Sequence, residues 1–80
     1  MDIQGKEKLN ISHVKEELHH HVGDVVVLNY NLGRNKYETY EVIIKELYNN
    51  IFIVQMNDQK KIVKSFSYTD IITKTIKITY

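Results

Sequence analysis

The stretch that decides the fold is FSYTDIIT at residues 66–73, followed by TIKITY at residues 75–80. The first segment predicts the end of a strand and then one tight 3-10 turn. The second segment alternates apolar and polar residues, which predicts a strand with Ile76, Ile78 and Tyr80 facing inward. A strand, a short helical turn and a final strand in this order indicate a small β domain whose last strand completes a sheet.

The region before this sheet predicts one helix, over residues 11–23. Ser12 can act as its N-cap, because the hydroxyl accepts a hydrogen bond from an otherwise unpaired backbone N–H. Three apolar residues at i, i+4 and i+8 form a narrow stripe along this helix: Val14, Leu18 and Val22. Gly23 stands where helices commonly end in a left-handed conformation. We expect the polar residues 1–10 to be a flexible N-terminus.

The middle of the chain predicts strands joined by short turns. Residues 24–30 are rich in β-branched residues and predict a strand covered on both faces. Residues 37–47 predict a long, bent second strand, and further strands are expected at residues 51–56 and 61–66. On the second strand, we expect one face to carry Tyr40, Val42 and Ile44 and the other to carry Ile43 and Leu47. The pattern predicts a mainly β fold with one N-terminal helix: a small five-stranded SH3-like or Sm-like barrel over residues 24–80.

The composition indicates one domain, residues 1–80, that depends on apolar packing. The chain has no cysteine, which excludes disulfides and thiolate metal sites. Residues 1–24 hold three lysines and five acidic residues, a net charge of −2, whereas residues 25–80 hold eight basic and five acidic residues, a net charge of +3. The overall charge of +1 argues against a strongly electrostatic nucleic-acid binder. Because no apolar run has the length of a membrane span and the N-terminus lacks a secretory pattern, we expect a cytoplasmic protein.

Residue types that could support catalysis or metal binding are present but badly spaced. The adjacent residues His19, His20 and His21 point about 100° apart on a helix, so they cannot converge on one metal ion. We interpret them as a solvated helix end. The acidic residues are scattered, and we interpret Asp70 as a cap of its own turn. Without a phosphate loop or a nucleophile motif, the sequence predicts neither a cofactor nor an enzyme.

One constellation predicts a contact with a protein or a nucleic acid: Arg34 and Lys36 in a turn, beside Tyr37 and Tyr40. Basic side chains bind phosphates or carboxylates, and tyrosines stack on bases or become buried in interfaces. The alternative interpretation is a solvated hairpin tip with ordinary strand tyrosines. A second basic group is better interpreted as solvated: Lys60, Lys61 and Lys64.

Four segments carry a resemblance to a known family. They are ISHVK at residues 11–15, GRNK at 33–36, YNNIFIVQM at 48–56 and SFSYTDIIT at 65–73. Over residues 14–80 the chain resembles the Veg proteins of low-GC Gram-positive bacteria, which are named as biofilm-formation stimulators. The resemblance implies a cytoplasmic, non-enzymatic regulator that raises transcription of biofilm-matrix genes by opposing a helix-turn-helix repressor.

Three functions therefore stay open. The first is a transcriptional modulator that binds a protein partner, a repressor, through the basic turn. The second is a nucleic-acid-binding SH3-like or Sm-like module, which would bind more weakly as salt rises. The third is a structural subunit, for example a homodimer, that pairs strands at an open edge of the barrel.

Overall fold

The computed structural model describes residues 11–80, and the flexible segment expected at residues 1–10 lies outside them. Helix α1 is followed by five strands and a second short helix. In chain order these elements are α1 Ile11–His19, β1 Val25–Gly33, β2 Lys36–Leu47, β3 Ile51–Met56, β4 Val63–Ser67, α2 Tyr68–Ile72 and β5 Ile76–Thr79. The predicted mainly β class, with five strands after an N-terminal helix, is confirmed. Within the described part of the chain, no helix is long and apolar enough to cross a membrane.

The strands form one antiparallel sheet in the order β4-β3-β2-β1-β5. The long strand β2 pairs with β1 along its first part, from Lys36 to Ile43. It pairs with β3 along its second part, from Val42 to Leu47. The length of β2 thus lets it bridge two halves of the sheet. Closure of this sheet into an SH3-like or Sm-like barrel stays a prediction.

The sheet is strongly curved. The rings of Tyr30 on β1 and Phe66 on β4 have centroids 5.8 Å apart, although β2 and β3 lie between these strands. Strands three places apart in a flat sheet would be separated by about 14 Å. The inner face of the sheet therefore bends around the side chains that it buries.

The core lies on this inner face, under both helices. Its buried members are Val14, Leu18, Val26, Leu28, Val42, Ile44, Phe52, Val54, Tyr68 and Ile76. Tyr68, at the start of α2, is fully buried. Its ring stacks on that of Phe52, with ring centroids 5.6 Å apart. Its hydroxyl donates a hydrogen bond to the carbonyl of Tyr48 at 2.6 Å. The buried ring of Tyr68 therefore holds α2 against the core, in addition to the covalent connection of α2 to β4.

Helix α1 is shorter than the predicted 11–23. It ends at His19, and His20 and His21 lie in the turn that follows. Val14 and Leu18 are buried as predicted, but Val22 is 44% exposed, because the chain has left the helix before the stripe reaches it. Gly23 has the predicted positive φ, at 93°.

Two predictions about strand faces are wrong. Val25 on β1 is 49% exposed and Val27 is half-buried, so the described residues cover β1 on one face only. Leu47 packs against the core, although alternation placed it on the other face. A β-bulge between Ile44 and Glu46 explains the difference, because one extra residue reverses the alternation beyond it.

The segment 66–80 differs from prediction in three details. Residues 68–72 form a short α-helix rather than a 3-10 turn. Its N-cap is Ser67, whose Oγ accepts from the N–H of Thr69 at 3.0 Å, so Asp70 lies in the first turn, where a negative charge favours the helix dipole. Ile76 and Ile78 contact the core as predicted. Tyr80 is exposed and stacks on His21 instead, with centroids 4.1 Å apart.

Candidate partner-binding surface

The predicted basic turn is the two-residue loop of the β1–β2 hairpin. Arg34 and Asn35 have φ values of 53° and 62°, which define a loop of type I′ geometry, and Gly33 has φ 92°. The side-chain oxygen of Asn31 accepts from the N–H of Gly33 at 2.7 Å and supports the entry to the turn. This loop presents the side chains of Arg34 and Lys36 at an exposed tip.

Exposed apolar side chains accompany these cations. Tyr37 is 62% exposed and Leu32 is 53% exposed. Leu32 lies in an irregularity of the β1–β2 pairing between Asn31 and Gly33, where an extra residue disturbs alternation. The hairpin tip is therefore amphipathic, as protein-contact surfaces commonly are.

The four predicted site residues do not form one surface. Tyr37 pairs with Asn31 on the outer face of the hairpin. Tyr40 is half-buried and packs against the core from the inner face. Because successive strand residues point to opposite faces, Tyr37 and Tyr40 are separated by the sheet. The structure groups Arg34, Lys36 and Tyr37 at the tip and places Tyr40 elsewhere.

Tyr40 belongs to an aromatic cluster that the sequence reasoning missed. The ammonium of Lys64 lies 5.6 Å from the centroid of the Tyr40 ring, within cation–π range. The Tyr40 hydroxyl donates to the carboxylate of Glu38, and this hydrogen bond is the main cause that raises the pKa of Tyr40. Tyr30 and Phe66 continue the cluster on the same inner face. The spacing of Lys64 and Phe66, two residues apart, places both on one face of β4 but does not indicate that Tyr40 lies beside them.

Lys60 and Lys61, the other lysines of the second basic group, lie in the turn between β3 and β4. The backbone N–H groups of Lys60 and Lys61 both donate to one oxygen of Asp58, at 3.0 Å each. Asp58 therefore organises the turn between β3 and β4, and Lys61 adopts a positive φ of 53° there. Both side chains are exposed, as predicted for solvated lysines.

The histidine run is divided by the end of α1. His21 stacks on Tyr80, and its Nδ1 lies 3.2 Å from Oδ2 of Asp24. Tyr80 is 48% exposed, and burial of the rest of its side chain, with a smaller contribution from the charge of Glu17, raises the pKa of Tyr80 to about 12. Among residues 11–80, no group of three or more His, Cys, Asp or Glu side chains could hold a metal ion. The contacts of His21 and Tyr80 attach the α1–β1 turn to the end of β5.

A cleft of about 700 Å³ lies beside β5. Its walls come from α1, α2, β1, the hairpin and β5 and include Glu17, Ile71, Asn31, Tyr37, Lys74 and Ile78. Tyr37 thus connects the cleft to the hairpin tip. The cleft contains both cationic and apolar side chains but no pair of carboxylates.

Together these features define a small, curved antiparallel domain with a basic and aromatic hairpin tip. The family model described as biofilm formation stimulator VEG matches residues 9–79. The chain therefore belongs to the VEG family, as the resemblance at residues 14–80 indicated. A comparison with curated proteins finds no match for the chain.

Proposed function

We propose that this protein is a non-enzymatic regulator of gene expression that promotes transcription of biofilm-matrix genes by binding a helix-turn-helix repressor and opposing it. Membership of the family described as biofilm formation stimulators carries the proposal. The exposed hairpin tip supports a protein contact, because it combines Arg34, Lys36 and the exposed ring of Tyr37. Aromatic and arginine side chains are enriched at the centres of such interfaces.

The charge balance supports a protein partner rather than an operator as the primary target. The net charge of the chain is only +1, and binding to duplex DNA depends chiefly on phosphate neutralisation. The two cations at the tip suit a small acidic site on a partner. The protein then acts on transcription by removing the repressor and not by occupying the promoter.

A displacement titration tests this function. Labelled operator DNA is loaded with the host's matrix-gene repressor, and the protein is added while fluorescence anisotropy is followed at moderate salt. We expect anisotropy to fall as the repressor leaves, and to stay constant in a control without repressor. No release of DNA, at protein concentrations well above that of the repressor, contradicts the proposed mechanism.

The hairpin assignment has a separate test. Arg34→Ala with Lys36→Ala should abolish capture of the repressor, whereas the matched variant Lys60→Ala with Lys77→Ala, which also removes two exposed charges, should retain it. Equal capture by both variants contradicts the assignment of the site but leaves the regulatory function standing.

The aromatic cluster favours one second candidate, a nucleic-acid-binding module of SH3-like or Sm-like type. Tyr30, Tyr40 and Phe66 are half-buried rings, and the ammonium of Lys64 lies over the ring of Tyr40. Accessible aromatic rings with nearby cations can stack on unpaired bases. The carboxylate of Glu38 beside Tyr40 opposes phosphate binding, which ranks this candidate second. It predicts that anisotropy rises in the control without repressor, and that Tyr40→Ala with Lys64→Ala removes this rise.

A further inference from the structure

The cleft beside β5 follows an open edge of the sheet. Among the described strands, β5 is the last in the order and pairs only with β1. Side chains from both faces of β5 line the cleft. Ile76 and Ile78 contact the core from the inner face, whereas Thr75 and Lys77 alternate with them on the outer face. A cleft that both faces of one strand reach runs along the edge that has no neighbouring strand.

The backbone of β5 offers hydrogen-bonding groups to the cleft. Asn31 donates from its N–H to the carbonyl of Thr75 at 2.8 Å, which fixes the alternation of the β1–β5 ladder. By that alternation Lys77 and Asn29 bond to each other, whereas the N–H and C=O of Ile78 point away from β1. Ile78 is half-buried and lines the cleft. It therefore presents a donor and an acceptor side by side, as an extended chain requires.

The polar amides of the cleft present donors. Asn29 and Asn31 both line it. The hydroxyl of Thr39 donates to Oδ1 of Asn29 at 2.8 Å, and the N–H of Gly33 donates to Oδ1 of Asn31 at 2.7 Å. Because both amide oxygens are engaged within the protein, the two NH₂ groups are left to donate to a ligand. A ligand that suits them is rich in acceptors.

Charge and apolar surface narrow the ligand further. The exposed lysines Lys74 and Lys77 line the cleft, and neither forms an ion pair with another described residue. Among the described residues of the cleft, Glu17 alone is acidic. Ile71 and Ile78 supply an aliphatic wall. A phosphate group would leave this wall without a partner, whereas a peptide that carries both carboxylates and apolar side chains uses all of these groups.

We infer that the cleft binds an extended segment of another protein in which acidic and apolar residues alternate. The segment lies along β5 and exchanges backbone hydrogen bonds with Ile78. Successive side chains of an extended chain point to opposite sides, so one set reaches Ile71 and the other set reaches the outer side of β5. There its carboxylates accept from the ammonium of Lys77 and from the amides of Asn29 and Asn31.

A second copy of this chain is a poor occupant. The other open edge of the described sheet is β4, Val63–Ser67, which carries Lys64 and no acidic residue. Its approach to β5 would bring like charges together. The inferred site also goes beyond the proposed contact with a repressor, since it uses neither Arg34 nor Lys36.

Fluorescence anisotropy of a labelled peptide tests the site. In the peptide glutamate alternates with leucine, and we expect dissociation in the range of about 10–100 μM, because only a few contacts hold it. Peptides with lysine in place of glutamate, or serine in place of leucine, should bind at least about tenfold more weakly. No binding of the first peptide up to about 1 mM, equal binding of the lysine peptide, or displacement by oligouridylate overturns the inference.

An isosteric substitution tests the donors. Asn29→Asp with Asn31→Asp keeps the two oxygens that accept within the protein and replaces both NH₂ donors by acceptors. It should weaken peptide binding at least about tenfold. Asn49→Asp with Asn50→Asp adds the same charge in the exposed turn between β2 and β3 and should bind as the unmodified protein does. With the fold of each variant checked by circular dichroism, equal binding by the two variants overturns the inference.

Lys74 separates binding from stability. It follows α2 with a positive φ of 66°, a conformation in which glycine is the usual residue at a helix end. Lys74→Gly should therefore raise the urea midpoint of unfolding while it weakens peptide binding about threefold. Unchanged binding shows that Lys74 is not a contact and contradicts its place in the site. Arg34→Ala with Lys36→Ala should bind the peptide normally, so failure of this site and failure of the repressor contact are distinguishable.

Discussion

Removal of one buried hydroxyl should measure how α2 is attached to the core. Tyr68 has no exposed surface, and its hydroxyl donates to the carbonyl of Tyr48 at 2.6 Å. Tyr68→Phe keeps the ring that stacks on Phe52 and removes only this hydrogen bond, so we expect a loss of about 1 kcal/mol in the free energy of unfolding. Tyr68→Ala also removes the ring and should cost about 3–5 kcal/mol. A chain of this size has a total free energy of unfolding of roughly 4–12 kcal/mol, so the alanine variant should be close to unfolding.

Urea denaturation followed by far-ultraviolet circular dichroism provides the assay, and Tyr37→Phe is the control. Tyr37 is 62% exposed, so loss of its hydroxyl should change the free energy of unfolding by no more than about 0.5 kcal/mol. If Tyr68→Phe and Tyr37→Phe unfold at the same urea concentration, the hydrogen bond to Tyr48 does not stabilise the domain and the reasoning is refuted.

The same residue predicts a pH dependence. Burial of the phenol raises the pKa of Tyr68 above its ordinary value of 10.0. Because the folded pKa exceeds the unfolded one, the stabilising contribution of the neutral phenol is complete below about pH 10 and is lost as the pH rises through the folded pKa. The free energy of unfolding should therefore fall less steeply above pH 10 in Tyr68→Phe than in the unmodified protein. Equal slopes would contradict the burial argument.

Three further variants test local structure. Ser67→Ala removes the N-cap of α2 and should destabilise the protein by about 1 kcal/mol, measured by urea denaturation. Gly23→Ala meets no atom within 4 Å, so its cost should come only from the φ of 93° and amount to about 1 kcal/mol in the same assay. Arg34→Asn with Asn35→Gly places Asn-Gly, the pair preferred in type I′ turns, in the hairpin loop and should raise the free energy of unfolding by about 0.5 kcal/mol. The same double variant should weaken repressor capture. Capture that is unchanged would show that Arg34 is not a contact.

Local patterns in the sequence were sufficient for much of the fold. Alternation over residues 75–80 predicted that Ile76 and Ile78 would face the core, and Gly23 has the expected positive φ. The predictions failed where the chain departs from a regular period. The bulge near Lys45 moved Leu47 to the inner face, and the early end of α1 left Val22 exposed. No local signal marks either event.

The candidate site was predicted less well than the fold. Arg34, Lys36 and Tyr37 do share the hairpin tip, because a turn keeps neighbours in sequence together. Tyr40 could not be assigned to its cluster from sequence, since Lys64 approaches it from a strand more than 20 residues away. That contact depends on the curvature of the whole sheet.

The sequence by itself determined the class of the protein, its elements and its family. Periodicity, turn residues and the matched motifs are local properties, and they can be recognised without knowledge of any long-range contact. Only the tertiary structure decided which side chains meet. It separated Tyr37 from Tyr40, brought Tyr30 to Phe66 and moved Leu47 to the core. Sheet curvature and one bulge produced these results, and both depend on packing between strands that are distant in the chain.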